Sequence, residues 1–166
     1  MTRCLLVIDI QNDYFPGGLL PLWQAEEVET RIVAAIGQAR AAGDRVVVVR
    51  HMSPEPGLLS ASSPGSALRA AILAAAGDAP VVEKIFADAF QDTGLTAALA
   101  GVQELLVCGM MTQNCVVFTA MSRATDGMAV RVLADLCTAP SEIVHLIAVD
   151  ALGSKLALVT AEAVWR

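Results

Sequence analysis

Residues 44–51 read DRVVVVRH, four valines in an unbroken run. A strand with one face in water alternates apolar and polar side chains. A continuous β-branched run instead fits a strand covered on both faces, as in a parallel sheet. The segments on either side agree. Upstream, QAEEVETRIVAAIGQARAA (24–42) puts Val28, Ile32, Ala35, Ile36 and Ala39 on one helical face, and Gly43 follows as a stop. Before that, RCLLVID (3–9) reads as another buried strand. Downstream, MSPEPGLLSASSPGS (52–66) is rich in Pro, Gly and Ser, which predicts a loop long enough to be a lid or pocket wall.

The alternation continues to the end of the chain. ALRAAILAAAG (67–77) predicts a helix, PVVEK (80–84) a short strand, and 94–100 a short helix. QELLVCG (103–109) predicts a strand, about 113 to 126 a helix, AVRVLAD (129–135) a strand, 141–152 a helix and KLALVTA (155–161) a last strand. Strands alternating with helices predict an α/β fold, a three-layer αβα sandwich with a mostly parallel, Rossmann-like sheet. No repeat, low-complexity tract or linker divides the chain, so 1–166 is expected to be a single domain.

Composition excludes several classes of function. The chain is 55% hydrophobic, enough for a sizeable core at 166 residues. A net charge of −6, with no Lys/Arg block and only 4% aromatics, argues against nucleic acid or an anionic membrane as partner. The apolar opening CLLVIDI is interrupted by Asp9 and is too short to span a bilayer. The four cysteines, 4, 108, 115 and 137, form no CxxC pair and no metal-ligand spacing, so free thiols in a reduced, cytoplasmic setting are expected.

In a parallel sheet, ligands bind beyond the carboxyl ends of the strands. Strand one ends in Asp9, followed by Gln11-Asn12-Asp13; strand two ends in Arg50-His51 and strand three in Glu83-Lys84. Strand four ends in Gly109, with Cys115 at the start of the next helix; strand five ends in Asp135, with Cys137 beyond. A carboxylate, an ammonium and a thiol thus share one rim. A helix N-terminus and a nearby lysine favour thiolate, and a carboxylate beside the sulfur can take its proton and deliver it to a leaving amine. Free backbone N–H groups at such a turn can hold an oxyanion.

Taken singly, each residue has a structural reading: Asp9 a strand-end carboxylate, Lys84 a surface lysine, Cys115 a packed residue ahead of Val116, Val117 and Phe118. It is their joint placement that points to chemistry. If strand three is not beside strand one, Lys84 has to reach the site from a loop. Cys4 and Cys108 read as core, and Cys137 as a lining thiol. A nucleotide site is disfavoured, because QNDYFPGG rather than GxGxxG follows strand one.

Three blocks carry a resemblance. VIDIQNDYFPGG (7–18), EKIFADAFQDTGL (83–95) and LLVCGMMTQNCVVFTA (105–120) resemble, in order, the segments of the isochorismatase-like cysteine hydrolases, relatives of nicotinamidase and N-carbamoylsarcosine amidohydrolase. The resemblance implies a catalytic triad of Asp9, Lys84 and Cys115. It also implies a cis peptide between Met110 and Met111, and an oxyanion hole from the N–H groups of Met111 and Cys115. The implied activity is hydrolysis of a C–N bond in a small amide or ureido substrate through a thioester, without a cofactor. The alternatives are a vinyl ether hydrolase of the isochorismatase type and a non-catalytic thiol redox or binding protein. Candidate pocket residues are Gln11, Tyr14, Phe15, His51, Phe86, Met110 and Phe118. Family nicotinamidases bind a metal through an Asp two positions before a His. Here Val49 takes that place, His51 stands alone, and the only other histidine is His145, so no metal is expected. The family's habit also implies a homo-oligomer.

Overall fold

The computed structural model describes residues 1–166. Six strands form one sheet: β1 (Arg3–Ile8), β2 (Arg45–His51), β3 (Val81–Lys84), β4 (Glu104–Met110), β5 (Ala129–Thr138) and β6 (Ala157–Val159). Their order is β3-β2-β1-β4-β5-β6. Every neighbouring pair is parallel, so the sheet is wholly rather than mostly so. The helices that cover its two sides are α1 (Ala25–Ala41), α2 (Ala70–Ala76), α3 (Leu95–Ala98), α4 (Val117–Ala120), α5 (Glu142–Gly153) and α6 (Ala161–Val164). The valine run behaves as its composition dictates: Val46 to Val49 are all buried, with β1 on one side and β3 on the other. Val28, Ile32, Ala35, Ile36 and Ala39 of α1 are buried as one stripe. Cys4 and Cys108 lie wholly inside this core.

The chain runs outward from β1 to β2 and β3, then returns to the other side of β1 for β4 to β6. The reversal falls between β1 and β4, where a crevice opens beyond the carboxyl ends of the strands. Gly109 permits close contact there. Its φ is +126°, and a Cβ in its place would lie 2.1 Å from the Ile8 carbonyl oxygen.

Three elements differ from the sequence-based expectation. The helix expected over 113–126 is replaced by a π-turn at Thr112–Val116, the short α4, and a 3-10 turn at Arg123–Thr125. Ser122 takes the Ala124 N–H on its side chain at the start of that last turn, which ends the α-helical run. β5 extends through Thr138 past an irregularity opposite Val107–Gly109. Asp135 and Cys137 therefore lie within the strand, not at its end and beyond it. The last strand shrinks to three residues, because Thr160 caps α6 by accepting the Ala163 N–H.

The loop at 52–66 is pinned to the rim. The Asp13 carboxylate accepts the Leu59 N–H at 2.7 Å and the Leu19 N–H at 3.3 Å. Asn12 donates to the Pro64 carbonyl at 3.2 Å. Gly65 sits directly on the Asp13 carboxylate, with its missing Cβ 2.1 Å from Oδ1. No helix is long and apolar enough to cross a membrane.

Candidate active site

Asp9 is the first residue past β1, and its backbone is left-handed at φ 54°. Aspartate tolerates that region better than most residues, and such backbone tends to gather at functional sites. Its N–H is anchored on the Val49 carbonyl at 3.0 Å, and its side chain is fully buried. Lys84 is the last residue of β3. β2 separates β3 from β1, yet Lys84 needs no loop: its buried side chain reaches Asp9 past β2 from within the strand. Cys115 sits on the π-turn after β4, 3% exposed.

The three side chains meet. Lys84 Nζ forms an ion pair with Asp9 Oδ2 at 2.9 Å, and donates to Cys115 Sγ at 3.2 Å. The approach to Oδ2 is off the hydrogen-bond direction, and Oδ1 has no partner within the protein. His51 Nδ1 lies 2.8 Å from the same Nζ. The Met110–Met111 peptide is cis. The Met111 N–H meets no acceptor in the protein, and no acceptor outside the turn takes the Cys115 N–H. Both donors of the implied oxyanion hole thus belong to the turn that carries the sulfur, Met111 as its N-cap and Cys115 within it.

The electrostatics differ from expectation in one respect. Burial, helped by the Asp9 charge, pushes the Cys115 thiol up to about 12, against the pull of Lys84. The sulfur therefore rests as a thiol, not as the thiolate that the turn and the lysine alone favour. Burial pulls the Lys84 ammonium down, but Asp9 and Cys115 outweigh it and hold Lys84 above the usual lysine range. Burial, then Lys84, pushes His51 below the usual histidine range, so its ring is neutral.

The remaining candidates divide. Tyr14 is 2% exposed, its phenol makes no hydrogen bond within the protein, and burial followed by the Asp9 and Cys115 charges raises its pKa. Gln11 is fully buried as a clamp: its amide donates to the His51 and Ser66 carbonyls at 2.7 and 2.8 Å and accepts the His51 N–H at 2.8 Å. Phe15 is buried, with the Arg69 guanidinium 4.1 Å over its ring. Met110 is packed inside β4, while Phe86 and Phe118 stand exposed. Cys137 is buried in β5 and donates to the Leu133 carbonyl.

Sequence reasoning missed one contact at the nucleophile turn. Thr112 Oγ1 lies 2.8 Å from His145 Nδ1, and the imidazole packs 5.8 Å from the Trp23 ring. His145 comes from α5, and no spacing rule links it to position 112.

A divalent metal does not fit here. Asp9, His51 and Cys115 each present one ligand atom within 4.8 Å of the others. The Lys84 ammonium, however, already sits within 3.2 Å of all three residues. A second cation in the same space meets strong repulsion at low dielectric. Val49, two positions before His51, is buried and offers no ligand.

Comparison with known proteins places the chain in a family. The isochorismatase domain model matches residues 3–163. YddQ, an isochorismatase family protein of Bacillus subtilis, is 32% identical over 173 residues, covering 96% of each chain. A structure of an isochorismatase family protein from Desulfovibrio vulgaris superposes with a TM-score of 0.87 at 28% identity, covering 98% of this chain and 96% of the other. The chain belongs to the isochorismatase family of hydrolases. Streptothricin hydrolase of Streptomyces noursei is 37% identical over 122 residues, which is 72% of this chain but only 43% of that protein.

Proposed function

We propose that the protein hydrolyses a C–N bond of a small amide or ureido substrate, with Asp9, Lys84 and Cys115 as catalytic residues. The observation that carries this reading is the meeting of a carboxylate, an ammonium and a thiol from three separate rim positions within 3.2 Å of one nitrogen. Its kinship with a streptothricin hydrolase supports the reading.

Because the thiol pKa is raised, proton loss and attack occur together. As Cys115 Sγ bonds the carbonyl carbon, its proton passes to Asp9. The carbonyl oxygen becomes an oxyanion held by the N–H groups of Met111 and Cys115. The C–N bond then breaks, and Asp9 returns the proton to the departing nitrogen. Water adds to the thioester and gives a proton to Asp9. Collapse releases the acid, and the proton goes back to sulfur. Lys84 holds the Asp9 carboxylate in place as its ion-pair partner between steps. No cofactor enters the balance.

A panel of amides and ureides scored by ammonia release tests the activity. Cys115→Ala should lose turnover and thioester formation, while Cys137→Ala keeps both. Turnover by Cys115→Ala on a vinyl ether would support the isochorismatase-type reaction instead. We also infer a homo-oligomer. Ile143, Leu146 and Ile147 are 63%, 53% and 64% exposed along one stripe of α5, an apolar face that a second copy of the chain would cover. Light scattering should give a mass above 17.3 kDa that falls to the monomer value in Ile147→Glu.

A further inference from the structure

We propose that His51 is a positioning residue for Lys84, holding its ammonium in the cage where Asp9, His51 and Cys115 would otherwise be open to a divalent cation. This role rests on the proposed hydrolytic site and adds a fourth side chain to it.

The argument starts from donor counting. An ammonium has three N–H groups and no acceptor. Lys84 Nζ has three acceptor atoms around it: Asp9 Oδ2 at 2.9 Å, His51 Nδ1 at 2.8 Å and Cys115 Sγ at 3.2 Å. Two of the three N–H groups are committed to His51 Nδ1 and Cys115 Sγ, and the charge is paired with Asp9 Oδ2 without a directed hydrogen bond. The contact also fixes the imidazole: Nδ1 has to be unprotonated to accept, so Nε2 carries the ring proton.

The placement of His51 is built into the fold. It pairs directly with Lys84 in the β2–β3 register. The Gln11 amide grips its backbone from both sides, taking the N–H at 2.8 Å and donating to the carbonyl at 2.7 Å. Without Nδ1, one buried N–H of the ammonium loses its partner, and Lys84 is free to tilt away from the sulfur. Val49 does not supply the carboxylate of a metal site, and the histidine that remains serves an internal cation instead.

Three measurements test this. The protein has two histidines. Long-range ¹H–¹⁵N NMR of the wild type, with His145→Gln for assignment, should show His51 with a bare Nδ1 and a protonated Nε2 at neutral pH. A proton on Nδ1 overturns the proposal. His51→Asn, whose side-chain oxygen can stand in for Nδ1, should keep kcat within about threefold, whereas His51→Leu lowers kcat at least about tenfold with KM unchanged. Equal losses in the two variants overturn it. Zinc ions should leave alkylation of wild-type Cys115 by iodoacetamide unchanged, but slow it in Lys84→Met, where the emptied cage takes the ion. Zinc protection of the wild type, or none in Lys84→Met, overturns it. The NMR and zinc measurements need no substrate. A failed amide and ureide panel would therefore remove the hydrolytic reading and leave the cage to be judged on its own.

Discussion

Burial and the Asp9 carboxylate push the Cys115 thiol up to about 12, while Lys84 pulls the other way. The two neighbours therefore have opposite effects on reactivity. Asp9→Asn removes a raising charge, so its thiol should ionise at lower pH than the wild type. Lys84→Met removes a lowering charge, so its thiol should ionise at higher pH. At a fixed mildly alkaline pH, iodoacetamide should alkylate Cys115 fastest in Asp9→Asn, more slowly in the wild type and slowest in Lys84→Met, although both variants lose turnover. An alkylation profile read by intact mass checks the order; equal rates in all three would mean that burial alone governs the sulfur. Asp9, Lys84 and Cys115 were legible as rim residues because strand ends can be read from apolar runs. The protonation state of the sulfur was not legible, because it depends on how deeply the turn is buried. The Thr112–His145 contact was illegible for a different reason: it joins a turn to the side of a helix met much later in the chain.

Among the elements, those with strong periodicity were legible and those shaped by single hydrogen bonds were not. The valine run of β2 and the apolar stripe of α1 appear where the pattern places them. The helix expected over 113–126 opens instead on a π-turn that carries Cys115, a type of irregularity often found at functional sites. β5 runs on past Asp135 because an irregularity absorbs the extra residues beside Gly109. The loop at 52–66 was legible as a loop, but its fastening was not, since it hangs on one carboxylate from another segment. Asp13→Ala leaves the Leu59 N–H without its acceptor, a loss of about 1–3 kcal/mol. Limited proteolysis should then cut within 52–66 well before the rest of the chain, while the wild type resists. Equal resistance would show that packing of buried Leu59 holds the loop without Asp13.

At the scale of the whole molecule, acid is the sensitive direction. Burial lowers the pKa of both histidines in the fold, so both are neutral there. An unfolded chain takes up those protons near the ordinary value of 6.5, before the folded one does. The stability that comes from keeping the rings neutral is therefore complete above that pH and drains away as pH falls through and below it. The Tm should drop on acidification from neutral, and His145→Gln should flatten part of the drop. An unchanged slope would mean that groups other than His145 govern acid unfolding. The layered α/β class was legible from the strand-helix alternation, but the strand order was not, because handedness rules limit topology without choosing it. That order has a consequence for how the protein is made. β1, β2 and β3 are contiguous in the sheet as well as in the sequence, and they carry Asp9, His51 and Lys84. Cys115 arrives only with the strand that docks on the open side of β1. A ribosome therefore finishes the acid, the imidazole and the amine before it adds the sulfur, and severing the chain at the exposed turn near Gly101 would leave Asp9, His51 and Lys84 on one piece and Cys115 on the other.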